Sequence, residues 1–307
     1  MTTGLEQIRI ARAVLTYIAV CLPSRAEKVH ELAVTLGPVD AVDMLLSPDL
    51  PAESRDYYLG AIPVQRVRAY AAEVLDAAED AGARILIPED EGWPARLDDL
   101  SRVEYAAASS SALCLWVRGT QGSITARTVA LCGSRAATPY GTAMASEFGH
   151  SLASSGWIVA TTSGFGIAHA ALRGALAARG SMVVVLAGGI DRLHPPKLTS
   201  VLTQVSRNGL LVTAYPPGTE PTSRRAAEAG RLLAGISSGT VLIEAALRST
   251  SLASLEEAVR RGRHAMVMPG PVTSAQSAGA HQALRRNPQA RLIHNVEDVL
   301  TELAHVR

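Results

Sequence analysis

The sequence is poor in cysteine, in lysine and in long apolar runs. Its three cysteines, Cys21, Cys114 and Cys132, are too few and too widely spaced for a disulfide framework or a zinc site, which favours a reducing, cytoplasmic setting. It contains no run of about 18 apolar residues, so no transmembrane helix is expected. The first residues, Met-Thr-Thr-Gly-Leu-Glu, form no basic-then-apolar leader, so export is not expected.

Arginine almost completely replaces lysine. Of the 29 basic residues, 27 are arginine and two, Lys28 and Lys197, are lysine. Arginine suits contacts with phosphates and bases, although a GC-rich coding sequence produces the same bias. The net charge of +1 hides an asymmetry, because residues 1–80 carry a net −5 and residues 121–307 a net +8. The C-terminal part therefore permits a polyanionic partner without requiring one.

The pattern along the chain predicts two domains. Residues 1–80 contain short helical patterns interrupted by proline and glycine, which predicts a small all-α domain with an acidic surface. Residues 81–307 are predicted to form the second domain. From residue 127 onward, uncharged apolar runs alternate with helical patterns, which indicates an α/β fold with a mostly parallel sheet and helices on both faces. Such sheets bind ligands at the carboxyl ends of their strands, near the topological switch point.

The strongest local signal is the strand Val129–Cys132, followed by Gly133, Ser134 and Arg135 and by a helix near Thr138. Backbone amides at a helix start can hold a phosphate, which Arg135 would neutralise. The alternative is a structural turn that leaves Arg135 in solvent.

A second signal is the turn Gly164–Gly166 after another strand, which is part of a dinucleotide-binding fingerprint. The third glycine of that fingerprint is absent, because position 169 is histidine. Phe165 lies in this turn. It could stack on a nucleobase, or it could be a half-buried packing residue.

Two further segments carry polar groups after apolar runs. Arg192, His194 and Lys197 share one loop, but no second ligand at a useful spacing supports a metal site at His194. Glu244 ends a very apolar segment, so we expect it to accept hydrogen bonds from loop amides or from an arginine. No catalytic partner for Glu244 and no Gly-x-Ser-x-Gly element is present, so no catalytic residue, metal or cofactor is predicted.

Together these segments resemble the DprA (Smf) family of DNA-processing proteins. The resemblance covers roughly residues 85–307 well and residues 5–80 loosely. The stretch from residue 268 to residue 281 is similar to the actinobacterial branch of the family. The segments that carry the resemblance are Val129–Arg135 with Ala137–Gly141, Gly166–Leu176, Asp191–Arg192 with Pro195, Tyr215–Gly218, Val241–Ser249 and Met268–Ala275.

The resemblance implies an extended Rossmann-like domain behind a small helical domain of the SAM or HhH kind. It implies a homodimer that binds single-stranded DNA in a basic pocket and loads a RecA-type recombinase during DNA uptake and recombination, with no bond made or broken. It also suggests the region 252–272 for the dimer contact. The residues expected to bind DNA or phosphate are Gly133, Ser134, Arg135, Thr162, Phe165, Gly166, Arg192, Lys197 and Arg231.

This chain departs from the family pattern at several pocket positions, namely Phe165, Ala168, Leu172, Ala229 and Gly230. Two alternatives to strand binding follow from these departures. One is a nucleotide-binding Rossmann protein, either a sensor or similar to the phosphoribohydrolases. Their Gly-Gly-x-Gly-Thr-x-x-Glu signature is incomplete here, with Glu244 one residue too late. The other is a protein-interaction module whose DNA pocket has decayed.

Overall fold

A computed structural model describes residues 4–97, 113–119, 124 and 127–304. Contacts between residues divide the chain into two compact units. The first, here called the N-terminal unit, contains Met1–Arg118 with Gly188–Arg192 and Thr213–Thr219. The second, the sheet unit, contains Gly119–Ala187, Leu193–Val212 and Glu220–Arg307. The predicted boundary between residues 80 and 81 stays a prediction. No helix in the described ranges combines the length and the apolar character that crossing a membrane requires.

The N-terminal unit is mainly helical, as the sequence predicts. Its core contains buried apolar side chains from all five of its described α-helices, among them Leu15, Val29, Leu45, Leu59 and Val67. The chain forms one helix before Pro63 and another directly after it. The elements are α1 (Gly4–Cys21), α2 (Ala26–Leu36), α3 (Pro38–Leu46), α4 (Ala52–Leu59), α5 (Val64–Asp80) and the antiparallel strands β1 (Arg84–Leu86) and β2 (Leu115–Gly119).

The sheet unit is built on seven parallel strands in the order β6-β5-β4-β3-β7-β8-β9. All five residues of β3 are buried, and successive side chains of a strand point to opposite faces, so both faces of β3 are covered. The predicted α/β, Rossmann-like fold is therefore confirmed. The strands are β3 (Thr128–Cys132), β4 (Ile158–Thr162), β5 (Met182–Val185), β6 (Leu210–Thr213), β7 (Gly239–Leu242), β8 (His264–Val267) and β9 (Arg291–Leu292). The helices are α6 (Pro139–Ser154), α7 (Ile167–Ala177), α8 (Thr199–Asn208), α9 (Ser223–Gly235), α10 (Leu252–Arg260), α11 (Ala278–Arg286) and α12 (Val296–Leu303).

The direction in which the chain adds strands reverses beside β3. From β3 the chain adds β4, β5 and β6 on one side, and then β7, β8 and β9 on the other. The loops that leave β3 and β7 therefore diverge from neighbouring strand ends. This position is the topological switch point, where open parallel sheets form a crevice.

Two glycines hold α6 and α7 close together. A Cβ atom on Gly149 would lie 2.2 Å from the carbonyl oxygen of Ala171, and one on Gly174 would lie 2.0 Å from that of Ser146. Both distances are far below van der Waals contact, so no larger residue fits without moving a helix. Because α6 follows the loop after β3 and α7 follows the loop after β4, this packing fixes the two loops relative to each other.

In the N-terminal unit, two arginines of α1 bind the acidic turn that follows β1. Arg9 donates to both carboxylate oxygens of Asp90, at 2.7 and 2.9 Å, and Arg12 donates to Glu89 at 2.9 Å. Asp90 also accepts the backbone N–H of Ile87 at 2.9 Å. Burial alone would raise the pKa of Asp90, but the hydrogen bonds from Arg9 and Ile87 outweigh burial and lower it. The ionised form of Asp90 therefore stabilises the folded state.

We expect Asp90→Asn to lower the free energy of unfolding of the full chain by about 1–3 kcal/mol, since a partly buried ion pair with two hydrogen bonds is broken. Glu89→Gln is the matched control and should cost less than about 1 kcal/mol, because that pair is more exposed. Urea denaturation measures both changes. A carboxyl whose pKa is lowered on folding stabilises above its unfolded pKa, so the difference between wild type and Asp90→Asn should shrink as the pH falls below about 3.8. Equal losses in the two variants, or a difference that does not change with pH, would contradict this assignment.

Candidate functional site

The sheet unit contains a cavity of about 530 Å³ at the carboxyl ends of β3, β4 and β5. The ends of the three strands and the loops that follow them form its base, and the first turns of α9 and α10 form its other walls. This volume lies in the range of small-ligand sites in proteins. The lining residues are Cys132, Gly133, Arg135, Thr162–Phe165, Ala168, Val185, Ala187, His194, Pro195, Pro221–Ser223, Ala226, Ala229, Gly230, Thr250, Ser251 and Ser254.

The lining of the cavity is neutral except for one cation. Arg135, which is exposed, supplies that charge, and His194 is the one imidazole among the lining residues. None of the described lining residues carries a carboxylate. The remaining polar groups are mostly hydroxyls, contributed by Thr162, Ser163, Thr222, Ser223, Thr250, Ser251 and Ser254. Such a lining can take an uncharged polar ring inside and an anion beside Arg135.

The structure brings four of the predicted site residues to this cavity, namely Gly133, Arg135, Thr162 and Phe165. Phe165 keeps 40% of its surface exposed, so its ring remains available to a ligand. The role of Phe165 in stacking on a base stays a prediction, and the alternative of a half-buried packing residue stays open.

Ser134 and Gly166 lie directly behind the cavity and shape its wall. The carbonyl oxygen of Ser134 accepts the backbone N–H of Ile167 at 3.1 Å, so the loop after β3 is bonded to the start of α7. Gly166 has a φ of +67°, and a Cβ atom there would lie 2.2 Å from the oxygen of Ser134. Glycine is therefore required at position 166 for two reasons, the backbone conformation and the close approach.

Arg192, Lys197 and Arg231 are not among the residues that line the cavity. Arg192 belongs to the N-terminal unit and lies 3.4 Å from the carboxylate of Asp191. Lys197 is exposed in a short helical turn before α8, and Arg231 is partly exposed on α9. The proximity of Arg192 and Lys197 along the sequence therefore does not indicate a shared place in this site.

The departures from the family pattern explain the apolar walls. Ala168, Ala229 and Gly230 line the cavity, while Leu172 is buried in α7 and does not line it. A Cβ atom on Gly230 would lie 2.6 Å from the hydroxyl oxygen of Ser254, so the small residue allows α9 to pack against α10. These positions remove side chains from the cavity, and they leave space and an apolar surface in their place.

The sequence analysis did not predict that hydroxyl groups on and beside α9 and α10 line the cavity. They come from two pairs that precede helices, Thr222-Ser223 and Thr250-Ser251. Residues of this type before a helix are N-capping signals, and Thr222 does cap α9 by accepting the N–H of Arg225 at 3.2 Å. The N-capping residues are visible in the sequence and predict where each helix begins. They do not predict that two helix starts far apart in the sequence lie at one cavity.

Glu244 fills the crevice at the switch point between β3 and β7. Its backbone oxygen accepts the N–H of Ser134 at 2.6 Å. Its carboxylate accepts the N–H of Thr138 at 2.9 Å and the hydroxyl of Thr138 at 2.6 Å. The prediction that Glu244 accepts bonds from loop amides is confirmed. The prediction of a phosphate near the start of α6 stays a prediction. At that helix start the carboxylate of Glu244 lies against Thr138 and Gly141.

The lining of the cavity offers no activated nucleophile. Burial raises the pKa of the Cys132 thiol to about 12, so this side chain is a neutral thiol at physiological pH. In the described part of the chain, no three histidine, cysteine or acidic side chains come together as metal ligands would.

Comparison with known proteins agrees with this geometry. The model of the family "DNA recombination-mediator protein A" matches residues 84–304. A DNA processing protein DprA of Mycobacterium tuberculosis is 32% identical over 280 residues, which are 88% of this chain and 69% of that protein. Protein Smf of Escherichia coli is 30% identical over 220 residues, or 71% of this chain and 56% of that protein.

Two solved structures share the fold. DprA of Streptococcus pneumoniae superimposes with a TM-score of 0.70 at 22% identity, over 98% of both chains. DprA of Helicobacter pylori, whose structure is described for its single-stranded DNA binding mode, gives a TM-score of 0.62 at 20% identity, over 73% of this chain and 97% of the other. Since the family model spans more than half of the sequence, the chain belongs to the DprA/Smf family of DNA recombination mediators.

Proposed function

We propose that this chain binds single-stranded DNA at the cavity of the sheet unit and delivers the strand to a RecA-type recombinase. The proposal makes it a binding protein, in which no covalent bond is made or broken and no cofactor takes part. The observation that carries the proposal is the cavity itself, which combines a single exposed cation, apolar walls, several hydroxyls and no carboxylate among its described lining residues. Membership of a recombination-mediator family supports the same conclusion.

In this proposal, Arg135 binds a phosphate of the strand at the rim of the cavity. A guanidinium donates two parallel hydrogen bonds to a phosphate, which is stronger than a contact from a single N–H. Gly133 and Ser134 hold the backbone on which Arg135 is presented, and Gly166 packs against that backbone from the start of α7. The phosphate stays at the rim, because moving an anion into apolar surroundings is unfavourable unless several donors surround it.

The interior of the cavity is proposed to hold a base. Ala168, Val185, Ala187, Ala226 and Ala229 supply apolar surface, and the hydroxyl of Thr162 and those on α9 and α10 can donate to or accept from the polar edge of a base. The exposed ring of Phe165 can stack on a base at the mouth. Only an unpaired and unstacked base can reach such a cavity, so the proposed site selects single strands over duplex.

Further cations outside the cavity are proposed to contact a longer strand. Arg192, Lys197 and Arg231 have this proposed role, since each is at least partly exposed and none lines the cavity. Because the cavity itself offers one cation, a short strand should bind with a shallow dependence on salt, and a longer strand with a steeper one.

The first test is the binding of labelled oligo-dT and of a duplex across a salt series, measured by fluorescence anisotropy. We expect preference for the strand, and we expect Arg135→Gln to weaken binding by about ten- to a hundredfold at low salt, as loss of a charge-assisted hydrogen bond does. The plot of log affinity against log salt should become shallower by about 0.7, the value for one phosphate on a single strand. Arg207→Gln, on exposed α8 away from the cavity lining, is the control and should bind as wild type does. Absence of strand binding by the wild type at low salt would overturn the proposed function.

The second test separates the base from the phosphate. A strand of abasic sites keeps every phosphate but has no base, so it should bind several-fold more weakly than oligo-dT. Phe165→Ala should weaken binding of oligo-dT by about 1–3 kcal/mol, the effect of one lost base stack, while Phe165→Tyr should retain it. Equal affinity for abasic and normal strands would show that the cavity holds no base, although a phosphate contact would remain.

The last part of the proposal concerns the oligomeric state, the protein partner and the cellular location. We infer a homodimer that acts with a RecA-type recombinase in the cytoplasm, with the region 252–272 as the dimer contact. Val272, at the end of this region, is 90% exposed and therefore accessible to such a contact. Sedimentation velocity should show a dimer that Val272→Asp weakens, and a recombinase filament-assembly assay on coated strand should show faster nucleation with the wild type. A wild-type chain that sediments as a monomer at all concentrations would contradict the dimer.

A further inference from the structure

Glu244 contacts both ends of the loop that presents Arg135. The N–H of Ser134 donates to its backbone oxygen, and both the N–H and the hydroxyl of Thr138 donate to its side chain. Arg135 lies between these two attachment points. The loop can therefore move little while Glu244 is in place, and its cation is held over the cavity that it lines.

The surroundings of Glu244 are shaped around its carboxylate. Glu244 is 2% exposed, and a Cβ atom on Gly141 would lie 2.2 Å from one of its carboxylate oxygens. A Cβ atom on Gly133 would lie 2.8 Å from its backbone oxygen. Burial and, after it, the nearby charge of Glu244 raise the pKa of the Tyr140 hydroxyl. Gly133 and Gly141 are thus both needed for the β3–α6 loop to approach Glu244 this closely.

The carboxylate also lies where an external anion would bind. It sits at the start of α6, a helix of 16 residues whose first amides carry partial positive charge. A phosphate at that position would satisfy the same donors, and it would be repelled by Glu244 if both were present. We therefore expect a ligand anion to bind on the other side of the loop, where Arg135 is exposed.

We propose that Glu244 is a positioning residue for the strand binding described above: it holds Arg135 over the cavity and keeps phosphates out of the switch-point crevice. This inference rests on the proposed function, because it concerns how Arg135 meets a strand. It assigns a role to a buried carboxylate that does not itself line the cavity.

The test is a double-mutant cycle on the full chain with labelled oligo-dT. Glu244→Gln keeps the size of the side chain but places an amide against a donor, so strand affinity should fall by about tenfold or more. If Glu244 acts through Arg135, then Arg135→Gln should cause little further loss in the Glu244→Gln background, and the salt dependence of Glu244→Gln should be as shallow as that of Arg135→Gln. Glu228→Gln removes another buried carboxylate of the same unit, one paired with Arg224 and absent from the cavity lining, and should leave strand affinity unchanged.

A second measurement tests whether phosphate binds at the start of α6 once the carboxylate of Glu244 is removed. Inorganic phosphate should compete with oligo-dT at lower concentration, or raise the melting temperature more, in Glu244→Ala than in wild type, since the start of α6 is then open. If neither variant of Glu244 folds, Thr138→Ala removes the hydroxyl that donates to Glu244 and caps α6. This variant should lower strand affinity and its salt dependence to a smaller extent. Unchanged affinity and salt dependence in Glu244→Gln, or additive losses in the cycle, would overturn the inference while leaving strand binding intact. Failure of the wild type to bind any strand would overturn the proposed function, and this inference with it.

Discussion

The hydrogen bonds from Ser134 and Thr138 to Glu244 are the constraint on which the rest of the site depends. They join the loop after β3 to the end of β7 across the point where the strand order reverses. A buried carboxylate is tolerated only when donors surround it, so Thr138 must turn both its N–H and its hydroxyl toward Glu244. That orientation in turn lets the Thr138 oxygen accept the N–H of Gly141 and cap α6. One contact therefore sets the loop, the helix start and the closure of the crevice.

Because Glu244 closes the crevice between β3 and β7, the space open to a ligand lies on the other side of β3. The cavity opens along β3, β4 and β5, and the glycine contacts between α6 and α7 hold the two loops that form its base. Gly230 lets α9 approach α10, and with Ala229 it leaves the wall apolar. Because the lining has a single cation, the proposed strand binding depends on contact with a base as well as on charge. This balance differs from a site in which rows of basic side chains track a phosphate backbone.

The sequence predicted the sheet well and the site only in part. Uncharged apolar runs such as Val183–Leu186 identify buried parallel strands, because both faces of such strands must be apolar, and that rule is local. The bonding of Glu244 to loop amides also followed from a local rule, since a carboxylate in an apolar segment needs donors. What the sequence could not reveal is which donors. Thr138 lies 106 residues before Glu244, and the resulting occupation of the start of α6 follows from the strand order. The hydroxyls of Thr222 and Thr250 meet at one cavity for the same reason.

The geometry also weighs on the two alternatives to strand binding. A nucleotide-binding protein of this fold would use the switch-point crevice and the helix start beside it. Here Glu244 lies at both, so such a ligand would have to displace a buried carboxylate that accepts two hydrogen bonds from Thr138. A decayed pocket would be free to fill in or to lose the contacts that shape it. Instead, Gly166 retains a backbone conformation that favours glycine and a close approach to Ser134, and the cavity remains open beside Arg135. The positions that depart from the family pattern thus give the cavity apolar surface without closing it.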